Sequence, residues 1–263
     1  MGDYEEKLER ERGWHRHDAV QEGHFLNSRL FYSSGRHAVT AHRSRMRFVG
    51  RIHQGMEEAG LKNPWVLVAP TGAGNDLPYL LPLSQRIAGI DISAAALEAI
   101  KETSIEKHVG DIKHMGMFED GRFGVVIMSQ FFHHFLDFGF DEFLIEARRI
   151  LAPGGLFFSF EPSILHPLAA AAWCGKKLAG NFKGCVEDES PFSPGRLTKA
   201  MKRCGFADVA FSATSYAHHC TPAPIARMLD LVSRPLLNTP VLKHFGYYCV
   251  FSGRNPCPTG RGA

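Results

Sequence analysis

Predicted strands alternate with helical patterns through the middle of the chain, and this alternation restricts the fold more than any other feature. Five predicted strands between residues 64 and 163 read "PWVLVAP", "RIAGIDIS", "IEKHVGDI", "FGVVIMSQ" and "LFFSFEPS". Strands that are apolar throughout are buried on both faces, which is typical of a parallel sheet covered by helices. The sequence therefore predicts an α/β fold.

The remaining segments continue this pattern. Ser93 is placed to cap a helix over "AAALEAIKETS", and a "PGG" turn separates the amphipathic helix "FDEFLIEARRIL" from the fifth strand. Beyond residue 190, a helix ending at Gly205 precedes the strand "ADVAFSATSYA", the helix "APIARMLDLVSRPLL" and the last strand "FGYYCVFSGR". We expect one domain over residues 61–255, with a helical insertion at 221–245 and a tail at 256–263.

The first 60 residues are predicted to be helical. Apolar side chains recur at helical spacing from about residue 25, and Gly60 with Pro64 ends the pattern. We expect residues 1–60 and the insertion to cover a pocket. Candidate pocket, lid or dimer contacts in these segments are Phe31, Tyr32, Arg36, Met228, Leu231, Leu236 and Leu237. For Phe31, Tyr32 and Arg36, an ordinary packed helix face is the alternative.

Charge and composition exclude several classes of protein. The net charge is +3 without a dense run of Lys and Arg, so no nucleic-acid partner is predicted. The longest apolar stretch, "ILHPLAAAAWCG", is too short and broken to span a membrane, and the charged N-terminus lacks a signal-peptide core. Six cysteines without a CxxC pair predict free thiols. We expect a cytoplasmic protein, monomeric or homodimeric.

A glycine-rich loop and two acids lie where predicted strands end. The loop "APTGAGND" follows the first strand, and Gly72 and Gly74 let its backbone approach a ligand. Asp91 lies roughly 20 residues further on, as expected of an acid that binds ribose hydroxyls, and Asp111 is placed to bind an adenine edge. Taken singly, each feature also fits a plain turn or a helix cap. Together they predict a nucleotide-type cofactor site, because ligands bind beyond the carboxyl ends of parallel strands.

These segments together resemble the motif series of class I S-adenosylmethionine-dependent methyltransferases. The segments are "VLVAPTGAGND", "GIDIS", "VGDI", "FGVVIMSQFFHHF" and "LAPGGLFFSFEP", and the resemblance covers about residues 60–215. It implies a Rossmann-like, doubly wound sheet of seven strands, mostly parallel with an antiparallel last strand. It also implies S-adenosyl-L-methionine as the cofactor and a small molecule as the substrate.

The same resemblance implies roles for individual residues. The methionine part of the cofactor would lie among Ala69, Pro70, Thr71, Gly72 and Gly74. The ribose would be held by Asp91, and the adenine would lie among Ile92, Asp111 and Ile112. The sulfonium would lie above Ser129 and Gln130.

The loop departs from the family pattern, which is acid-x-Gly-x-Gly-x-Gly. Val68 replaces the acid, and Pro70 replaces the first glycine. In the family, that acid helps to orient the methionine amino group. Asp76, at the start of the next helix, is a candidate replacement. Gly124 also stands where the fourth strand commonly carries an acid.

Methyl transfer to a hydroxyl group is helped by a general base with a pKa near neutrality. His133 and His134 follow the fourth strand, where the family's substrate pocket opens, and either is a candidate for that base. For His134 the alternative is structural packing under the cofactor loop. For the further candidates we expect a structural role; these are Glu161, His166, His218 and His219. No metal site is predicted, since adjacent histidines on a strand point to opposite faces.

The sequence thus predicts a methyltransferase that acts on a hydroxyl oxygen of a small molecule. Methylation of nitrogen or carbon is the alternative within the same class. An NAD(P)-dependent oxidoreductase is another alternative because Asp91 would serve either cofactor, although the loop lacks GxGxxG. A non-catalytic S-adenosylmethionine-binding protein is the third, since the acid and the first glycine are missing.

Overall fold

The computed structural model describes residues 2–14, 36–179, 191–218, 221–237 and 239–257. Its strands are β1 (Val66–Val68), β2 (Ile87–Asp91), β3 (Glu106–Val109), β4 (Phe123–Ser129), β5 (Leu151–Pro162), β6 (Ala207–Ser215) and β7 (Tyr248–Arg254). They form one seven-stranded sheet in the order β3-β2-β1-β4-β5-β7-β6. Strands β1 to β5 pair in parallel, and β7 pairs antiparallel with both β5 and β6. The predicted Rossmann-like sheet is confirmed.

Helices precede, connect and follow these strands. They are α1 (Gly2–Trp14), α2 (Arg36–Glu58), α3 (Leu77–Leu80), α4 (Ala94–Glu98), α5 (Asp141–Ile150), α6 (Pro167–Ala179), α7 (Pro194–Arg203) and α8 (Ala223–Ser233). Short 3-10 helices lie at Leu81–Leu83, Phe132–His134 and Leu242–Phe245. Each predicted strand is confirmed in position.

Side chains of the central strands alternate between two apolar cores, one on each face of the sheet. In β1, Leu67 packs in one core, whereas Val66 and Val68 pack in the other. In β4, Val126 and Ile127 divide in the same way. Successive side chains of a strand point to opposite faces, so a strand buried on both faces is apolar throughout. This is the pattern that the sequence shows.

The predicted "PGG" turn is instead part of β5. The strand begins at Leu151, and its pairing with β4 shifts between Phe123 and Val125. Gly154 has a φ of +77°, and its N–H donates to the carbonyl oxygen of Asn255 at 2.8 Å. The extra residues therefore form a bulge that keeps its hydrogen bonds, rather than a turn that leaves the sheet.

Two helices differ from the sequence pattern. The Ser93 hydroxyl caps α4 as predicted, accepting the Ala96 N–H at 3.3 Å, but this helix ends at Glu98 rather than near residue 104. Helix α6 lies within and beyond "ILHPLAAAAWCG", which was expected only to be apolar. Pro167 at the first helical position and the alanines that follow favour a helix there.

The N-terminal segment and the insertion contact each other through a buried carboxylate. Asp230 of α8 is 5% exposed, and its oxygens lie 2.5 Å from the guanidinium groups of Arg43 and Arg47 of α2. Leu237 is buried, whereas the other three apolar candidates of the insertion are exposed. The domain boundary at residue 60 stays a prediction, and so does the role of residues 1–60 and of the insertion as a lid over the pocket.

The described part of the chain contains no helix long and apolar enough to cross a membrane. Four cysteines there carry free thiols, namely Cys174, Cys204, Cys249 and Cys257. Cys185 and Cys220 lie outside the described residues.

Candidate active site

A cavity of about 250 Å³ opens where β1, β2, β3 and β4 end. Most of the predicted site residues line it: Pro70, Thr71, Gly72, Asp91, Ile92, Asp111, Ile112, Ser129, Gln130 and His134. The edge of the sheet thus brings together the loop, the two acids and one of the two candidate bases.

Three predicted site residues lie behind the cavity wall. Ala69 is fully buried in a core, and His133 is 3% exposed. Gly74 has a φ of +80°, and a Cβ there would lie 2.9 Å from the Leu77 side chain. These residues therefore shape the site without facing it.

Thr71 holds the loop after β1 against the sheet. Its hydroxyl lies 3.0 Å from the carbonyl oxygen of Val68 and 3.1 Å from that of Ile90. Gly89 leaves room for this side chain, because a Cβ there would lie 2.6 Å from the Thr71 hydroxyl oxygen. Gly72 follows with a φ of +55°, which glycine adopts without strain. The loop therefore brings backbone, rather than side chains, to the cavity.

Asp91 joins the loop to the next helix and is 3% exposed. Its Oδ2 accepts the Gly72 N–H at 2.8 Å, and its Oδ1 accepts the Ser93 N–H at 2.9 Å. The side chain that caps the helix is that of Ser93, and Asp91 only supports this cap through its Oδ1. Capping therefore does not explain the position of Oδ2. Each carboxylate oxygen has two lone pairs and can accept a second hydrogen bond.

Tyr4 of α1 meets Asp111 at the cavity. Its hydroxyl donates to Asp111 Oδ1 at 2.9 Å, and the Lys113 N–H donates to the same oxygen at 2.8 Å. The Tyr4 ring packs against Phe135 and Phe138. Burial and the neighbouring Asp111 carboxylate raise the pKa of Tyr4, so the phenol stays protonated and donates.

The end of β4 carries unusual backbone and a chain of polar side chains. Gln130 has a φ of +54°, and its backbone and side-chain nitrogens both donate to the Phe160 carbonyl oxygen, at 2.8 and 3.1 Å. Such backbone in a non-glycine residue is often found at functional sites.

A chain of polar contacts begins at Ser129. The Ser129 hydroxyl donates to Asp76 Oδ2 at 2.7 Å, and Arg45 Nε of α2 donates to Asp76 Oδ1 at 2.5 Å.

His133 and His134 lie in a 3-10 helix, so the strand geometry assumed for adjacent histidines does not apply to them. His134 lines the cavity, and its Nδ1 lies 3.4 Å from a carboxylate oxygen of Glu11 of α1. His133 Nδ1 instead lies 2.7 Å from Glu161 Oε2. The two imidazoles therefore have different surroundings although their ring centroids are 4.3 Å apart.

Glu161 fixes the backbone that follows β4. It is fully buried, and its Oε1 accepts the N–H groups of Phe131 and Phe132 at 2.8 and 3.0 Å. These contacts, with the one to His133, hold the short helix that presents His134.

The other histidine candidates lie outside the cavity. His166 Nε2 lies 3.0 Å from the Tyr216 carbonyl oxygen, its ring stacks on His218, and burial lowers the pKa of His166. Strand β6 ends at Ser215, and His218 lies three residues beyond it. Phe31, Tyr32, His219 and the Arg36 side chain lie outside the described residues. Among the residues that are described, no group of three or more His, Cys, Asp or Glu side chains could hold a metal ion.

Two helices that precede β1 supply cavity residues that sequence reasoning missed. They are Tyr4, Leu8 and Glu11 of α1 and Arg45 of α2. The spacing of the first three places them on one helix face, which is the only signal the sequence offered. Phenylalanines that follow β4 or lie in α5 add an apolar wall; these are Phe131, Phe135 and Phe143.

Comparison with known proteins adds a family match over part of the chain and a fold. Residues 68–159 match the family model of a methyltransferase domain. No curated protein matches this sequence significantly.

Solved structures resemble most of the chain at low sequence identity. A possible histamine N-methyltransferase from Thermotoga maritima has a TM-score of 0.63 and 17% identity, over 92% of this chain and 97% of that one. The CurJ carbon methyltransferase has a TM-score of 0.58 and 18% identity, over 87% and 57%. The phosphoethanolamine N-methyltransferase 2 of Haemonchus contortus, solved with S-adenosylhomocysteine, has a TM-score of 0.50 and 14% identity, over 79% and 52%. At these identities the likeness shows the fold alone.

The matched segment contains the glycine-rich loop, Asp91, Asp111 and the end of β4, which form the part of the cavity at the edge of the sheet. The chain therefore contains a match to a methyltransferase domain over residues 68–159, and it shares its fold with solved methyltransferase structures.

Proposed function

We propose that this protein is an S-adenosylmethionine-dependent methyltransferase that acts on a hydroxyl oxygen of a small molecule, with His134 as the general base. The observation that carries the proposal is that His134 lines the same cavity as Asp91 and Asp111. A hydroxyl group becomes a stronger nucleophile when a base takes its proton in the transition state. The cavity thus combines groups suited to the cofactor with a group suited to the acceptor.

The residues of the cavity fit S-adenosylmethionine. Asp91 can accept hydrogen bonds from ribose hydroxyls, and Asp111 from an adenine amine, while Ile92 and Ile112 offer apolar surfaces to the ring. Gly72 leaves open space beside the loop, since a Cβ there would contact nothing within 4 Å. When bound, the cofactor supplies a methyl group activated by a positively charged sulfur. The protein aligns the acceptor and manages its proton.

Helix α1 prepares His134 for this role. The carboxylate of Glu11 beside the imidazole stabilises the imidazolium that forms when His134 takes the acceptor's proton. Burial alone would raise the pKa of Glu11, but contacts with His134 and Lys7 lower it to about 2, so Glu11 is ionised at neutral pH. His133 acts as a positioning residue through Glu161.

The wall of the cavity supports an apolar or aromatic acceptor of small size. Leu8, Phe131, Phe135 and Phe143 supply this wall. The neighbours' names specify nitrogen and carbon acceptors, so the preference for oxygen rests on the base alone. A cytoplasmic location, a monomeric or homodimeric state and the lack of a nucleic-acid partner stay predictions from composition.

Calorimetry of the full chain tests the cofactor site. We expect S-adenosylmethionine and S-adenosylhomocysteine to bind with micromolar affinity, and Asp91→Ala to weaken both at least about 10-fold, as expected for loss of charged hydrogen bonds. Asp208→Ala removes an exposed carboxylate and is the matched control. NADH is the second control, because binding of NADH instead would favour the oxidoreductase alternative.

Turnover tests the base. Release of S-adenosylhomocysteine is followed with a panel of small alcohols, phenols and amines. His134→Asn should lower kcat about 100-fold or more on a hydroxyl acceptor without weakening the cofactor, whereas His53→Asn, an exposed control, should not. An unchanged kcat in His134→Asn would refute the base assignment. Cofactor binding without turnover on any acceptor would favour the non-catalytic alternative.

A further inference from the structure

We infer that Arg45 and Asp76 form the binding site for the amino-acid end of the cofactor, in place of the acid that the loop lacks. The inference rests on S-adenosylmethionine being the ligand of the cavity described above. It concerns the methionine part of the cofactor, whose amino group has no acid to orient it at position 68 of this chain.

Val68 stands where the family pattern has an acid, so this position carries no charge. Val68 ends β1, is 2% exposed and packs in an apolar core. Residues that could bind an ammonium or a carboxylate group must therefore come from elsewhere around the cavity.

Asp76 points its carboxylate towards the cavity rather than towards its own helix. It precedes α3 at the capping position, yet its side chain makes no cap hydrogen bond. Its two oxygens instead contact Ser129 at the end of β4 and Arg45 of α2. Since Asp is among the best residues for capping a helix, its use in the cavity indicates another role.

Arg45 brings a positive charge to the same wall. Its side chain is 22% exposed, and the hydrogen bond to Asp76 uses Nε. The two terminal nitrogens of a guanidinium form a planar fork that matches a carboxylate group. Arg45, Asp76 and Ser129 all line the cavity.

This pair is complementary to a zwitterion. The amino-acid end of the cofactor carries one ammonium and one carboxylate group. Asp76 would accept hydrogen bonds from the ammonium group, and Arg45 would donate to the carboxylate group. Each charged group of the cofactor would then lie beside a protein group of opposite charge. Ser129 fixes the Asp76 carboxylate, so that the methionine chain is oriented from the end of β4.

Two ligands that differ only at this end test the inference. S-adenosylhomocysteine has the amino-acid end, and 5′-methylthioadenosine has the same adenosine and thioether without it. In calorimetry of the full chain, we expect the wild type to prefer S-adenosylhomocysteine. Arg45→Met and Asp76→Asn should each weaken S-adenosylhomocysteine about 10- to 100-fold and leave 5′-methylthioadenosine within about threefold, since only charged contacts to the missing end are lost.

Arg51→Met is the matched control, because Arg51 lies on the same helix and contacts the exposed Gln54. It should change neither affinity, and thermal melting of each variant checks the fold. Equal weakening of both ligands by Arg45→Met, or no change in either, would overturn the inference while leaving the cofactor assignment intact. A wild type that binds neither ligand would overturn the cofactor assignment and this inference with it.

Discussion

Glu161 is the residue whose removal should most disturb the site without touching the cavity. It is fully buried and accepts hydrogen bonds from the N–H groups of Phe131 and Phe132, from His133 Nδ1 and, at 3.4 Å, from the Ser159 hydroxyl. A hydrogen bond to a charged acceptor contributes about 1.5–3 kcal/mol, and a buried donor left without its acceptor costs about 1–3 kcal/mol. We therefore expect Glu161→Ala to lower the free energy of unfolding by about 4 kcal/mol, because the buried N–H groups of Phe131 and Phe132 and the His133 ring lose this acceptor.

Glu161→Gln separates charge from hydrogen bonding. An amide oxygen can still accept both backbone N–H groups, and the amide nitrogen faces His133, which can accept through Nδ1 in its other tautomer. We expect a loss of about 1–2 kcal/mol for this variant. Should Glu161→Ala prove unfolded, Glu161→Gln still tests the argument.

Urea unfolding at neutral pH, followed by circular dichroism, measures both losses, with the m value unchanged. Glu57→Ala is the control, because Glu57 is exposed and should change stability by less than about 0.5 kcal/mol. A loss below about 1 kcal/mol in Glu161→Ala would refute the reasoning, since an acceptor shared by several buried donors cannot be lost at so little cost.

Three further predictions concern the loop, α1 and the insertion. Gly72→Ala should cost about 1 kcal/mol in urea unfolding, because a left-handed φ of +55° strains any residue with a Cβ; an unchanged stability would contradict this. The pKa of Glu11 is lowered to about 2 from 4.5, so its stabilising effect is present above pH 4.5 and is lost as the pH falls towards 2. The stability difference between wild type and Glu11→Gln, measured by urea unfolding, should therefore shrink between pH 5 and about 3. A difference that stays constant over this range would refute the lowered pKa of Glu11. Asp230→Ala should raise hydrogen exchange in α8 about 10-fold or more while exchange in β4 stays unchanged, since α8 loses its buried link to α2; equal protection of α8 in both proteins would count against that link.

The sheet was predictable because its strands are buried on both faces. The apolar runs of β1 and β4 place each strand within a few residues, and the order of the sheet came with the family resemblance. The prediction of a turn at "PGG" was wrong because a bulge can absorb extra residues within a strand. The side chain of Asn255, about 100 residues away in the chain, donates hydrogen bonds to the carbonyl groups beside this bulge. Helix α6 was missed because the same stretch is equally consistent with a buried apolar segment.

By itself, the sequence determined the loop and the acids of the cavity. Asp91 and Asp111 follow strands, and the carboxyl ends of parallel strands meet at one edge whatever else the chain does. Tertiary structure alone decided which other groups join them. Tyr4 reaches Asp111 across 107 positions of the chain, and Arg45 reaches Asp76 across 31. Such contacts depend on how helices dock against the sheet, which is set by packing over the whole molecule rather than by any local pattern of residues.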